Sequence, residues 1–385
     1  MRSHGTMRLG VLGILLTAVA LLGNKCPGLL PGAFVQLQKA GVTKYLGKFT
    51  PVSSTAVGDG WTRHDYDPDG GDGPLCIAGS PYAVYSRAGD PSKLLILEQG
   101  GGACWQDFYN CNVVLENNAL PPIPQVDQAG IWNRSNPGNP FADYSVVYLP
   151  YCDGSVFSGD NDVADAHFPF GPVRFHRGLR NQSAGIDLAK SLFPGATRIT
   201  LAGSSAGGVG VAGFAAFLVR FNFGNLVDLT VFNDAGPVAV NLVASEEPAI
   251  AARAADWQFG QFYPASCHQC DEFGQATGVI DWRLQNDSTI REAIYETDGD
   301  LTNRFFLGLL GDQAAWRDLI VTEHGLLNEA YPERYKRFFV ANDTTHTALQ
   351  TLRFYTYTAD GVPLNEWTAD FLDDAAGWVD IVEEP

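Results

Sequence analysis

The chain has 385 residues, enough for one large α/β domain or two average ones, and 45% of them are apolar, ample for a buried core. Its 43 acidic against 25 basic residues give a formal charge of −18. That balance excludes the basic footprint that nucleic acid or an anionic membrane requires, and leaves neutral sugars and esters open as partners.

Arg2 and Arg8 precede an apolar run from Leu9 to Gly23, shorter than a comfortable bilayer span. Residues 1–25 therefore read as an export signal, with an N-terminal anchor as the alternative and Ala18-Val19-Ala20 as a small-x-small cleavage site. No later segment is long and apolar enough to span a bilayer. Residues 26–60, rich in Gly and Pro, read as a leader into the fold. Asp65-Tyr66-Asp67-Pro68-Asp69-Gly70 opens like a calcium loop, but the twelfth position is Cys76, not Glu, and Pro68 is unhelpful. A solvated acidic turn without metal is the better reading.

Strands are expected at Tyr82–Ser86, Leu94–Glu98, Ser145–Leu149, Ile199–Ala202, Leu229–Asn233 and Glu292–Glu296. Helical patterns fit Ala184–Leu192, Gly207–Phe221, Ala249–Phe259, Asn303–Leu310 and Gln313–Asn328. This alternation predicts an α/β fold with a mostly parallel sheet covered on both faces, a single domain over residues 61–385. Residues 242–290 look like an insertion placed as a cap over the site. If Cys26 leaves with the signal, Cys76, Cys104, Cys111, Cys152, Cys267 and Cys270 form an even set, which in an exported chain reads as disulfides. Cys267-His268-Gln269-Cys270 is expected to be a small structural disulfide and not a metal pair, because no second Cys/His pair at zinc spacing follows. The sequons at Asn133, Asn181, Asn286 and Asn342 matter only in a eukaryotic secretory host.

The chemistry centres on Gly203-Ser204-Ser205-Ala206-Gly207, which follows the apolar run Arg198–Ala202 and opens the helical pattern. Strand, glycine-flanked turn and helix make the nucleophile elbow of an α/β-hydrolase, with Ser205 pushed above the sheet. An early strand, Leu94–Glu98, runs into Gln99-Gly100-Gly101-Gly102-Ala103-Cys104-Trp105. The N–H groups of Gly102 and Ala103, with that of Ala206, are the expected oxyanion hole. The spacing matches neither the P-loop nor the dinucleotide fingerprint, so no nucleotide cofactor is expected. A serine nucleophile needs a base and an orienting acid, here in the order Ser, Asp or Glu, His. His176 precedes the serine, His268 lies within the cysteine pair, and His324 reads as a partly exposed helix residue. His346 follows the late apolar run Arg337–Ala341 on a short polar loop, where the base belongs. Asp234, Asp298 and Asp300 all lie on loops after strands. The order alone leaves these acids open, with Asp298 and Asp300 on the later strand better placed.

Leu97-Glu98-Gln99-Gly-Gly-Gly-Ala-Cys104-Trp105, Tyr148-Leu149-Pro150-Tyr151-Cys152 and Leu201–Gly208 together resemble the pectin acetylesterase/Notum family of serine esterases across most of residues 70–350. The family's Asp-x-x-Gln pattern is met by Asp300-Leu301-Thr302-Asn303, which favours Asp300 as the acid. Its Phe-x-x-x-Cys-x-x-His pattern is met by Phe339–His346, with Asp343 replacing the cysteine. The resemblance further implies the bridges Cys104–Cys111 and Cys76–Cys152. The expected protein is an exported, monomeric serine carboxylesterase that needs no cofactor or metal and keeps no stable membrane association once its signal is removed. Ser205, Asp300 and His346 form the expected triad, and Trp105 is the expected substrate contact. The substrate is an acylated carbohydrate or small ester, with O-acetyl foremost. A lipase or polyester depolymerase acting on longer chains is one alternative, and a non-catalytic glycan- or protein-binding relative is another. A shallow cleft lined by Trp105 suits acetyl, whereas a deep apolar tunnel suits a long chain.

Overall fold

The computed structural model describes residues 28–67, 71–115, 129–236, 247–270 and 276–385. The expected export signal, Cys26, Asp69 and parts of the 242–290 segment lie outside the described residues.

In chain order the elements begin with helix α1 (Pro31–Ala40), strands β1 (Ser53–Gly58), β2 (Trp61–Asp65), β3 (Ala83–Arg87) and β4 (Asp90–Glu98). A hairpin of β5 (Gly102–Trp105) and β6 (Phe108–Cys111) follows, then β7 (Tyr144–Leu149), a second hairpin of β8 (Asn161–Ala164) and β9 (Val173–His176), and helix α2 (Gly178–Leu192). The second half carries β10 (Arg198–Ser204), α3 (Ala206–Phe223), β11 (Asp228–Asp234), α4 (Glu247–Trp257), α5 (Ala276–Asn286) and β12 (Arg291–Thr297). It closes with α6 (Leu301–Phe306), α7 (Gln313–Ala330), β13 (Tyr335–Val340), α8 (Leu364–Asp373) and β14 (Ile381–Val382).

Ten strands form one sheet in the order β1-β2-β3-β7-β4-β10-β11-β12-β13-β14. From β7 onward every pair is parallel, and the three pairs joining β1, β2, β3 and β7 are antiparallel. The central strands read as continuous apolar runs because both faces are covered. Leu94–Glu98, Tyr144–Leu149 and Ile199–Ser204 are buried at every position. One face packs against α2 and α3 through residues such as Ile186, Leu218 and Ile199. The other packs through Trp132, Phe354, Trp367 and Phe371 against Phe232 and Phe338.

Each expected strand is present; Tyr82–Ser86 is shifted by one residue to Ala83–Arg87, and the others are lengthened by a residue or more. Helix α2 begins six residues before the predicted Ala184. Its first turn carries Arg180, Asn181 and Gln182, polar residues that are nonetheless buried and hydrogen-bonded to Asp160, Leu75 and Glu98. Polar groups pointing into the core hide the amphipathic period. Helix α6 ends at Phe306, short of the predicted Leu310, because the Arg304 guanidinium binds the carbonyls of Leu309 and Leu310 and Gly308 turns the chain at φ +69°. Residues 26–60 hold α1 and β1, and β1 is the first strand of the main sheet. Its residues are almost all exposed, so no apolar run announced it. Disulfides join Cys76 to Cys152, Cys104 to Cys111 and Cys267 to Cys270.

Candidate active site

Strand β10 ends at Ser204, and Ser205 takes φ +56°, ψ −120° before α3 begins at Ala206. For a residue with a Cβ this is a strained conformation, the mark of a nucleophile elbow. Its neighbours leave no alternative: a Cβ on Gly203 would strike the backbone of Gly207, and one on Gly207 would strike the Glu98 carbonyl. The Ser205 N–H donates to the Asp234 carbonyl at 2.8 Å, fastening the turn to β11. Helix α3 directs its free N–H groups and positive dipole end at the same place.

The triglycine loop lies against this turn. A Cβ on Gly100 would come within 2.7 Å of the Ser204 carbonyl and 2.9 Å of Ser205 Cβ, so only glycine permits the approach. Beyond it, the β5–β6 hairpin is braced by the Cys104–Cys111 bridge and by Cys104 N–H donating to Gly154 O at 2.8 Å. It is also tied to the C-terminal end of α4. Trp257 Nε1 donates to Cys104 O at 2.8 Å, and Gln106 N–H donates to Asp256 at 2.6 Å. Arg174, itself buried, pairs with both Asp256 and Asp165.

Gly102, Ala103, Trp105, Ser205 and Ala206 line one cavity of about 920 Å³, its open mouth included, which falls within the range of small-molecule sites. The rest of its wall is mostly apolar, with Val209, Phe214, Trp257, Phe259 and Phe306 prominent. Trp105 is buried, stacks on Phe108 at 4.1 Å and carries the Arg253 guanidinium 5.1 Å over its ring. Arg253, Trp257, Phe259 and Tyr263, from the expected insertion, all line this cavity.

Asp300 and His346 meet. Asp300 caps α6 by accepting from the Asn303 N–H at 2.8 Å, and its other oxygen accepts from His346 Nδ1 at 2.6 Å. A carboxylate only accepts, so Nδ1 carries the proton and Nε2 keeps its lone pair. That Nε2 is buried and has no hydrogen-bond partner among the described residues.

The other two acids are engaged elsewhere. Asp234 is fully buried, and burial raises its pKa. Its oxygens accept from the N–H groups of Ala348 and Leu349 and from Ser204 Oγ at 2.7, 3.2 and 2.5 Å. Asp234 thus straps the chain just beyond His346 to the end of β10, a role that residue order could not reveal. Asp298 accepts from the Asp343 N–H at 3.3 Å and Gln313 at 3.4 Å, and faces Arg317 at 3.5 Å.

Asp343, which stands where the resemblance expects a cysteine, orders the histidine loop without a covalent bond. It accepts from Thr345 N–H at 2.7 Å and Tyr357 O–H at 2.8 Å. Burial opposes its ionisation, yet the hydrogen bonds from Thr345 and Tyr357 hold its pKa below the usual carboxylate range.

The remaining histidines sit apart. His176 contacts Arg174 and the Asp153 carbonyl, and burial with the Arg174 charge pushes its pKa down to about 3. His324, expected on a partly exposed helix face, is instead buried, because its ring stacks on Tyr335 and bonds that hydroxyl at 2.7 Å. Asp65 pairs with Arg63 on β2. Among the described residues no three His, Cys, Asp or Glu side chains cluster as a metal site would.

Residues 68–237 match the sequence profile of the Pectinacetylesterase family. A stretch of 144 residues, 35% of this chain, is 31% identical to the palmitoleoyl-protein carboxylesterase notum2 of Xenopus laevis and spans 28% of that relative's length. The fold is similar to the crystal structure of the Wnt deacylase Notum from Drosophila, with a TM-score of 0.59 at 18% identity, over 81% of this chain and 93% of that one. With the elbow, the triglycine loop and a mostly parallel sheet in place, the chain has an α/β-hydrolase type of fold and is similar over residues 68–237 to the pectin acetylesterase/Notum family.

Proposed function

We propose that this protein is a serine carboxylic ester hydrolase with Ser205 as nucleophile, His346 as general base and Asp300 as orienting acid. The observation that carries the reading is the His346 ring, held through Nδ1 by Asp300 at 2.6 Å with Nε2 unpartnered, on a loop strapped to the nucleophile strand. His346 Nε2 takes the Ser205 hydroxyl proton as Oγ attacks the acyl carbon. The tetrahedral oxyanion is held by the N–H groups of Gly102, Ala103 and Ala206, each donor worth roughly 3 kcal/mol of transition-state stabilisation. The imidazolium returns the proton to the departing alkoxide, and water, deprotonated by the same nitrogen, releases the acid.

We read the acyl group as apolar and longer than acetyl. The mostly apolar wall of the cavity beside Ser205 supports this, as does the activity printed in the name of the Xenopus relative. The profile match to pectinacetylesterases supports a second reading, an acetyl ester on a carbohydrate. An exported, disulfide-bonded monomer built as one domain, with the 242–290 segment as a cap, completes the proposal. Hydrolysis of acetyl, butyryl, octanoyl and palmitoyl p-nitrophenyl esters by wild type and Ser205→Ala tests it. Background rates with both proteins at every chain length would defeat the enzyme assignment. A preference for acetyl would move the substrate to the second reading.

A further inference from the structure

Glu296 is the penultimate residue of strand β12 and is 1% exposed, with Asp300, itself fully buried, four residues on. One Glu296 oxygen accepts from the Thr297 N–H at 3.0 Å and the other from Asn303 Nδ2 at 2.8 Å. Asn303 bridges the two carboxyls, its backbone N–H on Asp300 and its side-chain amide on Glu296, and so sets them side by side. Among the described residues no lysine or arginine bonds to Glu296; His346 bonds to Asp300, and Glu296 neighbours Tyr295, which in turn neighbours Asp234, Asp343 and Tyr357. Two buried carboxyls side by side without a cation cannot both ionise, and one must hold the proton that both share. Each carboxyl accepts two donors, but those on Glu296 are both neutral amides, whereas Asp300 faces the His346 imidazole that must take up a proton in the reaction, so the shared proton belongs on Glu296. Burial, followed by the neighbouring Asp300 charge, drives the Glu296 pKa well above the usual carboxyl range.

We infer that Glu296 is a positioning residue: its neutral carboxyl donates a hydrogen bond to Asp300 and fixes that carboxylate against the His346 imidazole. Asn303 completes the assembly, giving its backbone N–H to Asp300 and its side-chain amide to Glu296 and to the Ala235 carbonyl. Two effects follow. The Asp300 oxygen facing His346 loses rotational freedom, and part of its negative charge is drawn away from the imidazole. The inference rests on the proposed Ser205–His346–Asp300 assignment.

The test compares Glu296→Gln and Glu296→Leu with Asp300→Ala and wild type on one p-nitrophenyl ester, with thermal unfolding of each protein. Glutamine keeps a donor for Asp300 and gives up one acceptor, so Glu296→Gln retains kcat within about 5-fold. Glu296→Leu lowers kcat about 100-fold with KM within about 2-fold, since the contact acts on orientation of the base and not on substrate binding. In Glu296→Leu the acid limb of the kcat/KM profile also moves to higher pH, because the carboxylate behind the imidazole regains full charge. Equal losses in Gln and Leu variants, or an unmoved acid limb in Glu296→Leu, would overturn the inference, as would full activity in the Leu variant. Asp300→Ala separates the two failures. If it too is fully active, the triad assignment has failed; if it is inactive while Glu296→Leu is not, only the role of Glu296 has.

Discussion

Val209 stands one helical turn beyond Ser205, its N–H donating to the Ser205 carbonyl at 3.1 Å, and its side chain lines the cavity. Val209→Trp places an indole in the space assigned to the acyl chain while leaving the strand, the turn and the Asp300–His346 contact in place. An octanoyl ester carries roughly six more methylenes than acetyl, each worth about 0.8 kcal/mol when moved from water into an apolar wall. The full transfer is then about 5 kcal/mol, an upper bound because ordering the chain opposes it. At about 1.4 kcal/mol per factor of ten, blocking the chain costs the octanoyl ester about two to three orders of magnitude in kcat/KM. The acetyl ester, which needs only the mouth beside Ser205, changes less than about 5-fold. The assay is kcat/KM for both esters on both proteins, with the thermal transition as a check on folding. A Val209→Trp enzyme that loses acetyl and octanoyl activity in the same proportion would refute the placement of the acyl chain in this cavity.

Three further outcomes follow from the same geometry. Asp300→Asn removes the acceptor for His346 Nδ1 and lowers kcat about 10³- to 10⁴-fold, while Asp298→Asn stays within about ten-fold of wild type; steady-state kinetics on the two variants checks this. Asp343→Ala releases Thr345 and Tyr357 and loosens the histidine loop, which lowers stability by about 1–3 kcal/mol and kcat with it; chemical denaturation beside kinetics measures both. His324 stays neutral in the folded chain down to about 3, whereas the unfolded chain protonates it near 6.5. The unfolded state therefore binds the extra proton between those values, so its contribution is complete above about pH 6.5 and falls by up to about 1.4 kcal/mol per unit of acidification below it. Urea titrations at several pH values should show a shallower acid slope in His324→Gln.

The parts of this molecule that could be read in advance are those governed by local rules. Leu94–Glu98, Ser145–Leu149 and Ile199–Ala202 are buried on both faces, so hydrophobicity alone located them. The elbow was legible because strand, glycine-flanked turn and helix follow one another directly in the chain, with Gly203 answering to a clash only four residues away. What could not be read depends on contacts between distant segments. Asp234 was weighed as an acid because it follows a strand, but its oxygens are taken by Ala348 and Leu349, more than a hundred residues later. The sequence likewise held no signal that Glu296 would meet Asp300 in a buried carboxyl pair. His324 was read as partly exposed because its partner, Tyr335, lies on a neighbouring strand. Strand β1 escaped notice for the opposite reason: it is exposed and pairs through its backbone.

The central claim is that Ser205 is acylated with His346 as its base. Reaction with an alkyl fluorophosphonate, followed by mass spectrometry of the digested protein, tests it most directly. The account predicts one adduct, on the peptide carrying Ser205, that is lost in Ser205→Ala and forms at least about 100-fold more slowly in His346→Ala. Labelling at another residue, or equal labelling rates in wild type and His346→Ala, would contradict it.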